Sequence, residues 1–323
     1  MKKILLLGGT GFVGTALCDS WATVTGGAGV RLIVPTRSRA KARHLWPLPN
    51  VDLIEADVHD DTDLRALANR LEPGDAVVNL IAILHGRARD FEQVHVTLPR
   101  RVVEAMNGAG LRRLIHVSAL GVSQDAPSLY LRSKWAGEGV IRASGLDWTL
   151  LRPSVIFGER DRFLNMFAKL LAWMPVFPLA GAHARLQPVW VSDVALALAR
   201  CLLQPEATRG QIFECAGPQV FELGELVRLT GEWSGHPRWV IPVPEAVGRL
   251  QAALLSLLPG EPALSADNLK SLRVPNVATG QHPGLQVLGL TPQALEPVAV
   301  NYLRDVLHED KDEYNVLRRT AQR

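Results

Sequence analysis

The chain has 323 residues, 47% hydrophobic and 21% charged, the balance of a globular protein long enough for a large α/β domain and a smaller lobe. Lys and Arg total 35 against 32 Asp and Glu, with no dense basic run interleaved with aromatics, so nucleic acid is excluded as a partner. Cys18, Cys201 and Cys215 are scattered, with neither metal spacing nor a disulfide framework, and no apolar run has the length of a signal peptide core or a membrane span. Those three absences read as a cytoplasmic protein.

The first stretch is the most informative. Ile4 to Leu7 form the short apolar run of an inner parallel strand. Gly8, Gly9, Thr10, Gly11, Phe12, Val13 and Gly14 follow, fitting both G-x-G-x-x-G and G-x-x-G-x-x-G. Glycines at this spacing let the backbone turn sharply and approach a pyrophosphate, and the helix that starts here offers unpaired N–H groups to the phosphates. The pattern predicts a helix over 12–22, a glycine break over 26–29 and a strand over 30–34. An NAD-binding turn carries an acid about twenty residues past its glycines. Here Arg37 and Ser38 stand among Arg39 and Lys41 with no acid, which suits a 2′-phosphate and favours NADP(H) over NAD(H). The competing reading is a basic first turn of a solvated helix.

A third strand over 51–56 ends at Asp57 and Val58, where Asp57 either meets an adenine amine or, with Asp60 and Asp61, caps the helix over 61–71. A fourth strand over 76–82 brings Asn79, Leu80 and Ile81 to its end, the side that faces the ligand crevice in open α/β sheets. A long helix over 89–109 holds Pro99, which kinks or breaks it. A fifth strand over 113–118, a helix over 127–144 and a sixth strand over 148–152 complete an alternation that predicts a doubly wound parallel sheet.

Beyond Gly158 the rhythm changes. A helix is predicted over 161–173, an apolar loop over 174–178, strands over 186–191 and 211–215, and a helix over 193–203 between them. The remainder reads as mainly helical, with apolar residues at helical spacing over 244–258 and a highly charged end over 308–323. The chain thus divides into a nucleotide-binding domain over 1–158, to which 185–216 returns, and a smaller substrate or partner lobe over 159–184 and 217–323.

Tyr130 and Lys134 lie four residues apart on one face of the 127–144 helix. An ammonium beside a phenol lowers its pKa, and such a tyrosine passes a proton at a substrate oxygen while the lysine holds the cofactor ribose. The bland reading is an ordinary helix-surface pair. The histidines show no shared ligand spacing, so no metal is expected, and no G-x-S-x-G elbow is present.

The glycine turn, Asp57-Val58, Asn79, the strand ending at Ser118, Tyr130 with Lys134, and Arg152-Pro153-Ser154-Val155-Ile156-Phe157-Gly158 together resemble the short-chain dehydrogenase/reductase superfamily, with its Rossmann sheet. The likeness extends through Gln187 to Val194, which is similar to the returning segment of extended members. It implies that Pro153, Ser154 and Val155 lie beside the nicotinamide. His116 to Gly121, Leu151 to Gly158 and Asp161 to Asn165 are similar to the atypical branch containing the NADPH-binding accessory subunit of respiratory complex I. That branch implies tight NADP(H) binding, roles that are structural in several members, links to quinone metabolism and peripheral association with a membrane complex at its inner face. Catalytic members carry Ser or Thr just past the fifth strand. Ser118 is the nearest candidate but stands a position or two early, with Ala119 and Leu120 in the slot and Ser123 as a looser alternative. Three functions follow as expectations: hydride transfer with a carbonyl, alcohol or quinone-like substrate; a non-catalytic accessory subunit; and a sugar-nucleotide epimerase or dehydratase. The aromatics Phe163, Phe167, Trp173 and Phe177 read as lobe core before they read as a pocket for an apolar substrate.

Overall fold

The protein is represented by a computed structural model that describes residues 1–26, 29–244, 246–248 and 265–304. The apolar spacing over 244–258 lies mostly, and the charged end over 308–323 wholly, outside the described residues. The chain divides into two compact units, Met1–Ser154 with Val191–Ala216 and Ala278–Pro292, and Val155–Trp190 with Gly217–Val277 and Gln293–Arg323. The stretch 278–292, expected in the second lobe, belongs to the first unit.

In the first unit, the described residues form a seven-stranded sheet built from β1 (Lys3–Leu7), β2 (Arg31–Thr36), β3 (Val51–Glu55), β4 (Ala76–Asn79), β5 (Arg113–Val117), β6 (Asp147–Pro153) and β11 (Gln211–Cys215). All neighbours are parallel, in the order β11-β6-β5-β4-β1-β2-β3. The order reverses between β1 and β4, which opens a crevice at their C-terminal ends. Ile4, Leu5, Leu6 and Leu7 are each at most 1% exposed, as expected of a strand covered on both faces. One face carries α1 (Phe12–Val24) packed on α7 (Val191–Leu203). The other carries α2 (Asp61–Ala68), a helical stretch through 88–108 and α5 (Leu129–Arg142), whose Leu64, Leu67, Leu98, Val102 and Ile141 join Leu5, Val77, Leu114 and Leu150 in one core.

The 88–108 stretch is α3 (Ala88–Glu92), a π-helical turn Gln93–Thr97 and α4 (Leu98–Gly108) in continuous succession. Pro99 brings no N–H to the carbonyl one turn back, at His95, and its ring crowds that oxygen. The chain widens into a π turn there and continues, where the sequence suggested a kink or break. The His95 carbonyl then faces Gly137 of α5 so closely that a Cβ at 137 would collide with it.

Two features bind distant sequence into this unit. Arg113, 8% exposed, donates to the carbonyls of Asp147 and Cys201 and to Thr208 Oγ1. Glu214 on β11, 3% exposed, accepts from Thr279 Oγ1 at 2.6 Å, Thr279 N–H at 2.8 Å and Gly280 N–H at 2.9 Å.

In the second unit, α6 (Leu164–Trp173) and α9 (Leu223–Trp233) pack with the helix Leu295–Leu303 around Phe167, Leu171, Leu226, Val227 and Ala299. The apolar loop expected over 174–178 is instead entered by β8 (Val176–Ala180), parallel to β13 (Trp239–Val243). Each strand has a single partner in this ribbon, so Pro178 and Pro242 sit where a missing N–H is tolerated. The strand expected over 186–191 is two short pieces, β9 (Arg185–Leu186) and β10 (Val189–Trp190), interrupted at Gln187-Pro188, and α7 begins at Val191.

Candidate functional site

The glycine turn sits at the crevice between β1 and β4. Gly9 N–H donates to Leu6 C=O at 3.2 Å and Gly11 N–H to Gly8 C=O at 3.0 Å, which closes the turn. Gly8 has φ +81, and a side chain there would also press on Ile81 Cγ1, 3.1 Å from the position of its Cβ. Leu80 N–H donates to Leu7 C=O at 3.0 Å, so Leu80 and Ile81 are fixed against the turn. A Cβ at Gly14 would lie 2.5 Å from Gly9 Cα and 2.6 Å from the Gly8 and Gly9 oxygens, so α1 rests directly on the turn. Gly11 is the N-cap of α1 and brings no side-chain cap. The first intrahelical bond is Thr15 N–H to Gly11 C=O at 2.8 Å, so the amides of Phe12, Val13 and Gly14 lie ahead of it without helical acceptors. Thr10, Phe12 and Val13 are half-buried around this open helix end.

Arg37, just past β2, is exposed, and Ser38 is half-buried and precedes a 3-10 turn, Arg39–Leu45. The Ser38 N–H donates to Thr36 Oγ1 at 3.3 Å, and the Thr36 hydroxyl donates to Ser38 C=O at 3.2 Å. His44 Nε2 meets Thr15 Oγ1 at 3.1 Å and ties this basic turn to α1, a tether no local pattern in the sequence marks. Asp57 Oδ1 accepts from His59 N–H at 3.0 Å in a local turn, while the cap of α2 is Asp60, which accepts from the amides of Thr62 and Asp63. Val58 packs against the core on the α2 face.

At the end of β4, Asn79 Oδ1 accepts from Ile81 N–H at 3.1 Å, and its buried Nδ2 has no protein partner. Beyond β5, Ser118 is 3% exposed, and its hydroxyl also lacks a partner. Ala119 and Leu120 are buried beside it, whereas Ser123 is exposed. Ser128, buried, caps α5 by accepting from Leu131 N–H at 3.2 Å, which starts the helix one residue before Tyr130. Lys134 is 1% exposed and donates to Val117 C=O at 2.6 Å, which brings its ammonium to the end of β5. Burial pushes the lysine down to about 8, opposed by the Glu138 carboxylate. Glu138 is itself clamped by Arg152, with Nε to Oε1 at 2.9 Å and Nη2 to Oε2 at 2.6 Å.

Tyr130 does not have the lowered pKa expected from its lysine neighbour. Desolvation pushes the phenol up to about 12. The Lys134 ammonium is held on the strand carbonyl, and the phenol ring is edge-on to Phe91 and His95 at centroid distances of 6.3 and 5.6 Å. His95 holds that arrangement together. Its Nε2 lies 3.1 Å from Ile83 N–H, which can only donate, so Nδ1 carries the proton and donates to Ser133 Oγ at 2.8 Å. The Ser133 hydroxyl then donates to Tyr130 C=O at 2.8 Å. His95 thereby links the loop after β4 to the first turn of α5, a role hidden in the sequence because its partners stand 12 and 38 residues away.

Pro153 closes β6 and accepts from Leu120 N–H at 3.0 Å, and Ser154 N–H donates to Cys215 C=O at 2.9 Å. Val155 opens the second unit, its N–H donating to Asn276 Oδ1 at 2.8 Å. Also in that unit, Phe163, Phe167 and Phe177 stack edge-on at 5.3 and 5.9 Å as core, whereas Trp173 is 88% exposed. Among the described residues no group of three or more His, Cys, Asp and Glu could hold a metal, and no helix is long and apolar enough to cross a membrane.

A family described as NAD(P)H-binding matches residues 8–163, which span the glycine turn, Lys134 and Pro153. NADH dehydrogenase (ubiquinone) 1 alpha subcomplex subunit 9, mitochondrial, of Rattus norvegicus is 32% identical over 306 residues, covering 93% of this chain and 79% of the relative. The chain belongs to the NAD(P)H-binding family of this complex I subunit. Another relative from that branch is the NADH-ubiquinone oxidoreductase 40 kDa subunit, mitochondrial, of Neurospora crassa, 26% identical over 93% of this chain and 78% of its own length. The same fold is seen in a dTDP-glucose 4,6-dehydratase from Streptomyces venezuelae, with a TM-score of 0.73 at 19% identity over 96% of this chain and 98% of the other. At that identity the likeness speaks for the fold alone. The dinucleotide of this NAD(P)H-binding family fits the residues present: the space between α1 and the turn admits only glycine at 14, the helix end is uncapped, and Asn79 Nδ2 is a buried donor at the edge of the same crevice.

Proposed function

We propose that this protein binds NADP(H) at the C-terminal edge of its parallel sheet and serves as an accessory subunit of respiratory complex I, with the dinucleotide as a structural element. The likeness to complex I subunits over 93% of this chain supports that partner, and with it a peripheral position at the inner face of the membrane. The observation that carries the non-catalytic role lies just past β5, where buried Ala119 and Leu120 stand in the slot that catalytic members give to Ser or Thr, and the Ser118 hydroxyl before it is buried.

Bound NADP(H) supplies a hydride donor or acceptor at its nicotinamide ring. The amides of Phe12, Val13 and Gly14 bind the pyrophosphate, Arg37 with Ser38 receives the 2′-phosphate, and Asp57 with Val58 borders the adenine. Asn79, Leu80 and Ile81 line the middle of the crevice, Lys134 holds the nicotinamide ribose, and Pro153, Ser154 and Val155 border the nicotinamide. Binding restricted to the folded state stabilises that state by about 2.7 kcal/mol at a hundredfold excess over Kd.

Mass analysis of the small molecule released on denaturing the purified protein is expected to find NADP(H). Arg37→Ala should weaken NADPH binding about tenfold or more, the worth of a charge-assisted bond, while NADH binding changes less than about twofold. Equal losses for both nucleotides would remove the NADP(H) preference.

The second reading is hydride transfer with a carbonyl, alcohol or quinone-like substrate, favoured by Tyr130 and Lys134 standing one turn apart on α5 with the lysine at the end of β5. Turnover on a carbonyl and quinone panel that Tyr130→Phe abolishes would establish it. Cofractionation with complex I and no turnover on that panel are expected of the accessory subunit. Sugar-nucleotide chemistry is the weakest of the three.

A further inference from the structure

The ends of β4 and β5 carry more buried donors than the protein supplies acceptors. Asn79 and His116 are register partners on these parallel strands, so their side chains lie side by side on one face of the sheet. Leu114 on that face belongs to the core shared with α4 and α5, so His116, two residues on, points to the same layer. Ser118 continues the alternation, its N–H donating to Leu151 C=O at 2.7 Å. Asn79, His116 and Ser118 are 1%, 1% and 3% exposed. Asn79 Nδ2, both ring nitrogens of His116 and Ser118 Oγ are buried without a protein partner. Four such atoms on adjacent positions depart from the rule that buried polar groups are paired.

We propose that His116 is a positioning residue that, with Asn79 and Ser118, holds a buried water tying Lys134 to the strand ends beside the glycine turn. Burial, aided by Lys134 and His95, holds His116 far below its ordinary pKa, so the ring is neutral and offers one donor and one acceptor. Asn79 Nδ2 adds two donors and Ser118 a hydroxyl. Lys134 spends one of its three N–H groups on Val117 C=O. Donors therefore outnumber acceptors, and the nitrogens of Asn79 and His116 lie beyond hydrogen-bond reach of one another. A water supplies two acceptor sites and two donors, and buried waters commonly make about three such bonds. It accepts from Asn79 Nδ2 and from Lys134, and donates to the free ring nitrogen of His116 or to Ser118 Oγ. Asn79 in turn holds the Ile81 amide, and Ile81 presses on Gly8. A chain of contacts then runs from Lys134 through the water to the pyrophosphate turn. This coupling to the cofactor rests on the dinucleotide-binding reading; the water does not.

Two measurements separate those parts. A crystal structure that resolves ordered water should show one within hydrogen-bond distance of a His116 ring nitrogen and Asn79 Nδ2. A dry layer, or a direct bond between those two side chains, would overturn the proposal. For the positioning role, His116→Gln retains a donor and an acceptor and should bind NADPH within about threefold of the parent, whereas His116→Phe, of similar bulk, should bind about tenfold more weakly. A purely structural role would lower the melting temperature of both variants and spare affinity in whichever folds, and equal affinities for the two would overturn the positioning role. If His116→Phe does not fold, Asn79→Ala removes the other donor the water requires, and a folded variant with parent affinity would overturn the positioning role equally. If the parent binds no NADPH, the water alone decides.

Discussion

Gly11 and Gly14 are three residues apart and lack a side chain for different reasons. Gly14 has backbone atoms of Gly8 and Gly9 within 2.6 Å of where its Cβ would stand, whereas the nearest at Gly11 is Gly8 O at 3.2 Å. Gly14→Ala must therefore push α1 off the turn, and is expected to cost about 2 kcal/mol of stability in urea unfolding. Gly11→Ala faces the crevice and should cost about 0.5 kcal/mol or less, yet impair NADPH binding more strongly than its stability loss accounts for. A Gly11→Ala protein that binds like the parent would mean the phosphates lie elsewhere. The glycine spacing made this turn legible in the sequence, and so did the acid-free segment at Arg37. His95 was legible only as a histidine without ligand spacing, because its meaning comes from Ile83 and Ser133, brought to it by the packing of two helices and a loop. The expected fall in the Tyr130 pKa failed for a related reason: helical spacing shows that a lysine is near and says nothing of how far water is excluded.

Between elements, the closest approach in the site's support is α5 against the π turn. The His95 carbonyl occupies the space a side chain at 137 would need. Gly137→Ala is expected to cost about 3 kcal/mol, near the upper end for overpacking, and to shift the urea midpoint without changing the slope of the transition. A change under about 1 kcal/mol would show that α5 can slide, and would then predict a displaced Tyr130. Strand and helix order in the first unit was legible because buried parallel strands and amphipathic helices leave different periods. The β8–β13 ribbon was not, since its prolines mimic loop composition and its pairing joins residues 63 apart, Val176 with Trp239. Pro99 marked where the long helix departs from α geometry, but only the packed partner explains why it widens and goes on.

For the whole molecule, the two buried histidines govern the acid side of stability. His95 is driven down to about 2 by desolvation and by Lys134, and His116 is lowered well below its ordinary value by the same causes, with His95 adding to them. In the unfolded chain both titrate near the ordinary value of about 6.5. Below that pH the unfolded state takes up protons that the folded state refuses, so the contribution of these two histidines is complete above about 6.5 and is lost as pH drops. Each histidine contributes a slope of about 1.4 kcal/mol per pH unit. Urea unfolding between pH 6.5 and 5 should show this fall, and His95→Gln should remove about half of it. A flat profile over that range would contradict the neutral assignments.

The Glu214 staple has a consequence for how the chain is made. The first unit is assembled from three separated stretches, and among the described residues the Glu214 carboxylate accepts from Thr279 and Gly280. During synthesis the first 154 residues emerge with six strands, and β6 remains an open edge until β11 is made. Even then a carboxylate bound for the interior waits for partners some 65 residues further on. The nucleotide-binding unit thus begins folding before it can finish, which exposes a parallel-sheet edge to wrong pairing while the segment between β6 and β11 is made. A chain ending shortly before residue 278 would hold every residue proposed here to bind the dinucleotide and still lack the pairing that lets Glu214 stay buried.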